Sequence, residues 1–418
     1  MDKNKKVPEV RFKGFKLAWK KTPLSEYMTV SNEKNVSNTY DKYDIYSVSR
    51  EYGVVNQIEY QGKSFAGASL TGYGVVHTWD VVYTKSPLKL QPYGIIKTNK
   101  TQNGIVSALY GVFSPNGNVD ANFVQTYFEL DQRLNDYLRP LVNKGAKNTL
   151  LISDEDAIKG NVIFPQKDEQ EKIVKMFNTL DTLIRKLEQK LEKLRSIKQS
   201  LLNQMFINVN RGGGYTPLIR FKGFEDEWSV IALNDISERI TRKNTNNESS
   251  LPLTISAQYG LINQNDFFNS RIASKDVSGY YLIKKGEFAY NKSTSDGYPV
   301  GAVKRLDKYE MGVLSTLYII FALKKEKLNS DFLSAFFETG KWHEHIYQCA
   351  SEGARNHGLL NISSDDFLKL KILAPKAKNE QALISEFVML MDRLVNESTD
   401  KLSKFRSMKH SLLQKMFI

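Results

Sequence analysis

Several short stretches of the sequence contain residue types that could support catalysis or nucleotide binding. Gly62-Lys63-Ser64 matches the end of a phosphate-binding loop, but Gln57 stands where that loop needs a glycine. Glu188-Gln189-Lys190 matches a Glu-x-Lys nuclease pattern, yet no acidic partner accompanies it. None of the 11 prolines is adjacent to another, so the Pro-Pro pair of DNA amino-methyltransferases is absent. The sequence therefore predicts no nucleotide binding, nuclease activity or methyl transfer in this chain.

One stretch concentrates residue types that bind metals, namely His343, His345, Cys349 and His357. Their spacing fits no standard zinc site. The chain is a duplication, described below, and the matching positions of its first half hold Asn135, Tyr137, Leu141 and Thr149. Because a duplicated fold forms there without these ligands, we expect surface and packing roles and no metal.

Basic and polar residues at predicted turns and strand ends are better suited to binding than to catalysis. Lysine and arginine neutralise phosphates, whereas serine, asparagine and glutamine hydrogen-bond to base edges. Most of them recur at matching positions in the two halves, although recurrence alone also fits residues that shape a turn. The candidates for contact with DNA are Arg50, Lys85, Ser86, Lys147, Asn148, Gln258, Lys292, Ser293, Arg355 and Asn356.

The composition favours a polyanionic partner and at least two domains. Lys and Arg total 59 against 46 for Asp and Glu, which gives a formal charge of +13. A chain of 418 residues exceeds the usual size of a single core. The single cysteine, Cys349, excludes an internal disulfide, and the sequence contains no long apolar run. We expect a cytoplasmic protein, and charge alone also fits a basic scaffold.

The elements that position these residues occur twice. Arg11-Phe12-Lys13-Gly14-Phe15 with Trp19 recurs as Arg220-Phe221-Lys222-Gly223-Phe224 with Trp228, and further matches follow in the same order. The closing Met205-Phe206-Ile207 recurs as Met416-Phe417-Ile418. We predict a first mixed domain, a long helix, a linker, a second mixed domain and a second long helix, at 1–164, 165–207, 208–216, 217–374 and 375–418.

Each mixed domain is predicted to be α+β. Short runs rich in Val, Ile, Tyr and Phe at 104–113 and 311–323 predict strands, and helices are expected over 122–138 and 330–347. Two homologous α+β domains are thus expected to be separated by two long helices.

The two long helices carry matching apolar stripes at heptad spacing. Stripes of this length need a partner, and the nearest is the duplicate, so we predict a pseudo-twofold arrangement with an antiparallel coiled coil. The stripe is expected to continue through Ile197 and Met408. The predicted seam residues are Ile173, Phe177, Leu180, Ile184, Leu187, Leu191, Leu194, Ile384, Val388, Met391, Val395, Leu402, Phe405 and Leu412.

In this duplicated order of motifs the sequence resembles the specificity (HsdS) subunits of type I restriction-modification systems. The resemblance rests on the Arg-Phe-Lys-Gly-Phe openings, the Glu-Gln pairs after Pro165 and Pro375, and the Leu-Leu-x-x-Met-Phe-Ile endings, and covers nearly the whole chain. It implies two target-recognition domains, each reading half of a split site in duplex DNA. It also implies two methyltransferase subunits docked on the helices and two restriction and translocation subunits, with S-adenosylmethionine, ATP and Mg²⁺ bound by those partners.

Two other interpretations fit parts of the sequence. A duplicated coiled-coil scaffold or adhesion-type module would bind protein or glycan and would lack duplex affinity with a steep salt dependence. A fused modification enzyme would transfer methyl groups unaided, and the missing Pro-Pro pair argues against it. The recognised bases depend on loop side chains whose positions the sequence does not reveal.

Overall fold

A computed structural model describes residues 7–145, 150–207, 214–256, 259–268, 273–295, 297–324, 327–350 and 358–418. Contacts divide the chain into two compact units. The first unit comprises Met1–Glu188 and Asp400–Ile418, and the second comprises Gln189–Thr399. Each unit therefore contains one head together with parts of both long helices.

The first half of the chain folds into short strands and helices that precede one long helix. Its strands are β1 (Lys20–Pro23), β2 (Met28–Val30), β3 (Tyr46–Ser49), β4 (Gly53–Asn56), β5 (Gly74–Val76), β6 (Val81–Thr84), β7 (Ile95–Thr98), β8 (Gly104–Val106), β9 (Tyr110–Pro115), β10 (Asn143–Lys144), β11 (Leu150–Leu151) and β12 (Asn161–Phe164). Its helices are α1 (Gln57–Gln61), α2 (Ala121–Tyr127), α3 (Asp131–Leu138), α4 (Asp154–Ala157) and α5 (Lys167–Met205), with a 3-10 turn at Leu24–Glu26.

The second half repeats this order, except that β10 and β11 have no counterpart among its described residues. Its strands are β13 (Ser229–Ala232), β14 (Ser237–Ile240), β15 (Leu253–Ser256), β16 (Gly260–Asn263), β17 (Tyr281–Lys284), β18 (Phe288–Asn291), β19 (Ala302–Arg305), β20 (Met311–Leu314), β21 (Ile319–Leu323) and β22 (Lys371–Ala374). Its helices are α6 (Leu233–Ile236), α7 (Gln264–Phe268), α8 (Ser330–Phe337), α9 (His343–Cys349), α10 (Ser364–Leu368) and α11 (Lys378–Lys415).

Each head is built on a four-stranded antiparallel sheet, in the order β2-β9-β6-β7 in the first and β14-β21-β18-β19 in the second. The strands β6 and β18 hold the same register, since Tyr83 pairs with Ile96 and Tyr290 with Val303.

The turn before β7 needs a glycine. Gly94 has φ +94°, and an added Cβ would lie 2.0 Å from the carbonyl oxygen of Thr84. Gly301 meets the same constraint in the second head.

The repeated motifs hold each head to the long helix of its own half. Arg11 donates two hydrogen bonds of 2.7 Å to the carboxylate of Glu169, and Arg220 binds Glu380 in the same way at 2.7 and 2.8 Å. Such bidentate, largely buried pairs fix both distance and orientation. The arginine of each opening motif thus fixes the start of the long helix that follows it.

The closing motif of each half packs into the unit that contains the other half's head. In the first unit the ring of Phe417 lies 6.2 Å from that of Trp19 and 5.9 Å from that of Phe177. In the second unit Phe206 lies 6.2 Å from Trp228. All five side chains are buried. The end of one long helix therefore lies beside the start of the other in each unit, which is the predicted antiparallel arrangement.

The predicted seam residues are all buried or partly buried on α5 and α11. The stripe differs from the prediction at two matching positions, because Ile197 is 40% exposed and Met408 is 52% exposed. The neighbouring Lys198 and Lys409 occupy the inward-facing position instead, where both are ion-paired. The inward face therefore shifts by one residue where a helix passes the head.

Two other predictions were too coarse. The helices expected over 122–138 and 330–347 are each split, into α2 and α3 and into α8 and α9. The strands expected over 104–113 and 311–323 are each two strands joined by a turn. In the second head the break between helices contains Gly340, which favours a turn.

The predicted linker lies largely outside the described residues. No helix in the described ranges is long and apolar enough to cross a membrane.

Candidate nucleic-acid interface

The structure describes five of the ten predicted DNA contacts. Those five are Arg50, Lys85, Ser86, Lys292 and Ser293. Lys147, Asn148, Gln258, Arg355 and Asn356 lie outside the described residues.

Lys85 and Lys292 match in sequence, but their side chains have different surroundings. The Lys85 ammonium lies 2.8 Å from a carboxylate oxygen of Asp154. Lys292 instead donates to the carbonyl oxygen of Ile362 at 3.4 Å. Partial burial, with a smaller effect from the nearby Arg239, lowers the pKa of Lys292. The charge of Lys85 is thus compensated within the fold, whereas Lys292 is paired with a neutral acceptor.

The two matching serines directly follow these lysines; Ser86 is partly buried and Ser293 is exposed. The Ser293 amide donates to the side-chain oxygen of Asn291 at 3.0 Å, and the residue forms an isolated β-bridge with Leu359. Arg50 is more exposed, and its guanidinium lies 2.5 Å from Asp131. Asp131 also accepts a hydrogen bond from Gln91, so this carboxylate is shared.

A charged cleft of about 640 Å³ lies within the first unit. It is bordered by the β3–β4 turn, the end of β7, α2 and the adjoining parts of both long helices. Its basic side chains are Arg50, Lys97, Lys100, Arg185, Arg406 and Lys409, and its acidic ones are Glu51, Glu129, Asp181 and Glu188. Several charges compensate one another: Lys409 contacts Glu129 at 2.5 Å and Asp181 at 2.6 Å, and Arg406 contacts Glu188 at 2.6 Å.

Two lysines of this cleft have no ion pair within the described ranges. Lys97, on β7, is only 9% exposed. Loss of hydration lowers its pKa, with Lys409, Lys100 and Arg50 adding repulsion and Glu129 opposing the shift. Lys100 is exposed overall, yet loss of water around its ammonium also lowers its pKa, against the attraction of Asp181 and Glu129. An anion in the cleft would compensate both charges.

Sequence reasoning missed these two lysines. Lys97 interrupts the buried strand Ile95–Thr98, and a lysine inside such a strand was the available signal. Its lack of an ion pair depends on residues far away along the chain, because Lys409 pairs with Glu129 instead, and sequence spacing does not reveal this.

The equivalent region of the second unit is internally neutralised. Lys304 holds the register of Lys97 and is ion-paired with Glu338. Lys198 lies 2.5 Å from Asp392 and 3.7 Å from Glu338. Neighbouring Arg305 binds Asp307 and Asp331, each at 2.6 Å. The two heads therefore share a framework but not a charge distribution.

Exposed aromatic side chains mark the β3–β4 and β15–β16 hairpins. Tyr52 and Tyr259 are both exposed and directly precede Gly53 and Gly260, which have φ +79° and +76°. In the first head the Tyr52 ring lies 5.6 Å from that of Tyr60. Flat, exposed rings suit stacking on bases or sugars.

The structure places parts of two stretches whose residue types could bind nucleotides or metals. Gly62 ends α1 in a left-handed conformation, so Gly62-Lys63-Ser64 follows a helix, whereas a phosphate loop precedes one. His345 bonds the carbonyl oxygen of Asp366 at 2.8 Å. His357 lies outside the described residues. Within the described ranges no group of three or more His, Cys, Asp or Glu side chains is placed to hold a metal.

Comparison with known proteins identifies the fold. No family model matches the chain. It is similar to the crystal structure of the type I restriction-modification S subunit from M. genitalium, with 11% identity, a TM-score of 0.57 and coverage of 99% of both chains. It is also similar to a chain in a structure of the assembly and conformational transition of the type I R-M system, with 12% identity, a TM-score of 0.51 and coverage of 96% and 97%. The chain therefore has the fold of the S subunits of type I restriction-modification systems, which confirms the predicted fold class.

Proposed function

We propose that this chain is the non-catalytic specificity subunit of a type I restriction-modification complex and reads a bipartite target in duplex DNA. The observation that carries the proposal is the match to an S-subunit fold over 99% of both chains. Each half repeats a complete head and long helix, so two heads are available for two half-sites.

The charged cleft supports contact between the first head and the DNA backbone. Lys97 and Lys100 have no counter-ion among the described residues, and phosphate oxygens would supply one. Neutralising phosphates releases condensed cations from DNA, which makes binding favourable and dependent on salt. Arg50, Lys292 and the two matching serines remain candidate contacts to phosphates or bases.

We propose that methylation, cleavage and translocation are carried out by partner subunits and not by this chain. Two methyltransferase subunits bind the long helices, and two restriction and translocation subunits complete the complex. S-adenosylmethionine is the methyl donor and ATP with Mg²⁺ drives translocation, all bound by those subunits. The role of this chain is to hold the heads on DNA so that the partners act at the selected site.

Methylation mapping tests the proposal directly. Genomic DNA from cells expressing the chain with its methyltransferase subunit should carry methylated adenine in one bipartite motif, and cells lacking this chain should not. The purified complex should bind duplexes carrying that motif more tightly than scrambled duplexes at the same salt concentration. Methylation that is independent of this chain, or equal affinity for both duplexes, contradicts the proposal.

Exchanging one head tests whether the half-sites are read separately. Replacing residues 20–160 with the same region of a related subunit should change one half-site and preserve the other half-site and the spacing. Lengthening the long central helix adds about 1.5 Å per residue and should change only the spacing. A head exchange that alters both half-sites would contradict independent reading.

A further inference from the structure

One of the four tryptophans is exposed. Trp19, Trp228 and Trp342 are buried, at 1%, 2% and 1% exposure, whereas Trp79 is 50% exposed. It lies in the turn between β5 and β6 of the first head. A large aromatic side chain in this position is not needed for the core, because the core cluster of this head does not include it.

The backbone of Trp79 is also unusual. Its φ is +76°, in the left-handed region that bulky residues rarely adopt. The other non-glycine residues with positive φ in the described ranges are Asn38 and Asn247, which occupy matching turns of the two halves. Asparagine tolerates this conformation, whereas tryptophan is strained in it. Trp79 therefore stands apart from both.

The duplicated head shows which residue this turn ordinarily favours. Gly286 holds the equivalent position, two residues before β18, and has φ +86°. Trp79 likewise lies two residues before β6. The fold thus requires a left-handed residue here, and one head uses glycine while the other keeps a strained tryptophan. Such strain is typical of functional positions.

The surrounding hydrogen bonds hold the turn in place. The Trp79 amide donates to the carbonyl oxygen of Asn99 at 2.7 Å. The amide of Thr78 donates to Asn103 at 2.9 Å, and the amide of His77 donates to the carboxylate of Asp80 at 2.8 Å. These hydrogen bonds fix the backbone that carries the indole, so little backbone conformational entropy would be lost when the indole binds a ligand.

The neighbourhood favours nucleic acid as the occupant. Asn99, which accepts the Trp79 amide, directly precedes Lys100 in the chain, and Lys100 has no ion pair within the described part of the structure. An exposed flat ring and a lysine without an ion pair, carried on two hydrogen-bonded segments of one head, match a nucleotide, which presents a base or sugar next to a phosphate.

We infer that Trp79 contacts a base or deoxyribose of the DNA bound by the first head, with its turn strained so that the indole faces the ligand. This inference rests on the proposed function and adds a named contact to it. The second head, with Gly286, lacks this contact and reads its half-site without it.

Three variants of Trp79 in the complex with the methyltransferase subunit test the inference. Trp79→Gly copies the second head and relieves the strain, Trp79→Asn removes the ring but tolerates positive φ, and Trp79→Phe keeps an aromatic ring. The first two should melt no lower than wild type yet bind the mapped target duplex about tenfold more weakly. Trp79→Phe should retain most of the affinity, and methyltransferase binding should not change in any variant.

Tryptophan fluorescence provides a direct readout, because the other three indoles are buried. Target duplex should quench the emission of the wild-type complex and protect it from iodide, and this change should disappear in Trp79→Phe. Wild-type affinity in Trp79→Gly, or loss of methyltransferase binding instead of DNA binding, overturns the inference while leaving the proposed function intact. If the wild-type complex bound no duplex at all, that result would instead contradict the proposed function.

Discussion

The two units repeat one cluster of four charged residues but neutralise it differently. Each cluster joins a lysine on the head sheet, a glutamate after a head helix, an aspartate on the long helix of the same half and a lysine on the long helix of the other half. The members are Lys97, Glu129, Asp181 and Lys409 in the first unit and Lys304, Glu338, Asp392 and Lys198 in the second.

The difference lies in the lysine of the sheet. In the second unit Lys304 binds Glu338, whereas in the first unit Glu129 is engaged by Lys409 and Lys97 has no ion pair within the described ranges. Burial lowers the pKa of Lys409, but Glu129 and Asp181 raise it above its ordinary value overall. Lys409 therefore pairs with both carboxylates of the first cluster, and Lys97 is left without an ion pair among the described residues.

The largest expected effect is on stability and concerns the helix seam, which both units contain. Leu191 in the second unit and Leu402 in the first are both buried on the helix seam. Leu191→Asp or Leu402→Asp should each lower the free energy of unfolding by about 4 kcal/mol, because a carboxylate replaces a buried apolar side chain. Thermal or urea unfolding measures the loss.

Ile197→Asp and Met408→Asp are the matched controls, since these side chains are exposed on the same helices. They should change the unfolding free energy by less than about 0.5 kcal/mol. Equal losses for seam and control substitutions would show that the inward face is assigned incorrectly.

A second prediction concerns the buried arginine pairs. Glu380→Ala should lower stability by about 3 kcal/mol because it leaves Arg220 unpaired. Glu169→Ala should cost less, since Glu380 also accepts a 3.3 Å bond from Trp228. In the first unit the Trp19 indole has no hydrogen-bond partner among the described residues. Melting curves of the two variants should therefore differ, with exposed Glu9→Ala as a near-neutral control.

Opposite phenotypes are expected for the two sheet lysines. Lys304→Gln breaks an ion pair and should lower stability by about 1 to 2 kcal/mol, with little effect on DNA affinity. Lys97→Gln removes an unpaired, buried charge, so stability should not fall. DNA affinity should weaken, and the salt slope should decrease by about one if Lys97 neutralises a phosphate. Identical salt slopes for Lys97→Gln and wild type would place phosphate binding elsewhere.

The smallest expected effect is on the pH dependence of stability. The pKa of Lys97 is lowered, so the native state releases this proton below the ordinary lysine pKa of 10.5, where the unfolded chain still holds it. The native state then binds fewer protons, and this lysine makes stability rise with pH over that interval. Lys97→Gln should flatten the rise in unfolding free energy towards pH 10.5, and an unchanged slope would contradict the lowered pKa.

Much of the fold was predictable because it follows from repeated local patterns. Matching motifs gave the duplication, and heptad spacing after Pro165 predicted a long helix that the structure places at Lys167–Met205. The charge cluster was not predictable, since Lys198 and Glu338 meet only after the chain has folded. Trp79 was only partly predictable. Its alignment with Gly286 follows from the sequence repeat, but the positive φ of both residues does not.

The packing of Phe417 beside Trp19 has a consequence for folding during synthesis. The second unit is one uninterrupted segment, Gln189–Thr399, and all of its residues are synthesised before Asp400–Ile418. The first unit also needs Asp400–Ile418, so its aromatic core stays incomplete until that segment has been synthesised. Closing so long a loop is slow. The N-terminal head, although made first, is therefore expected to reach its final form last, and until then its unfilled core is a target for chaperones.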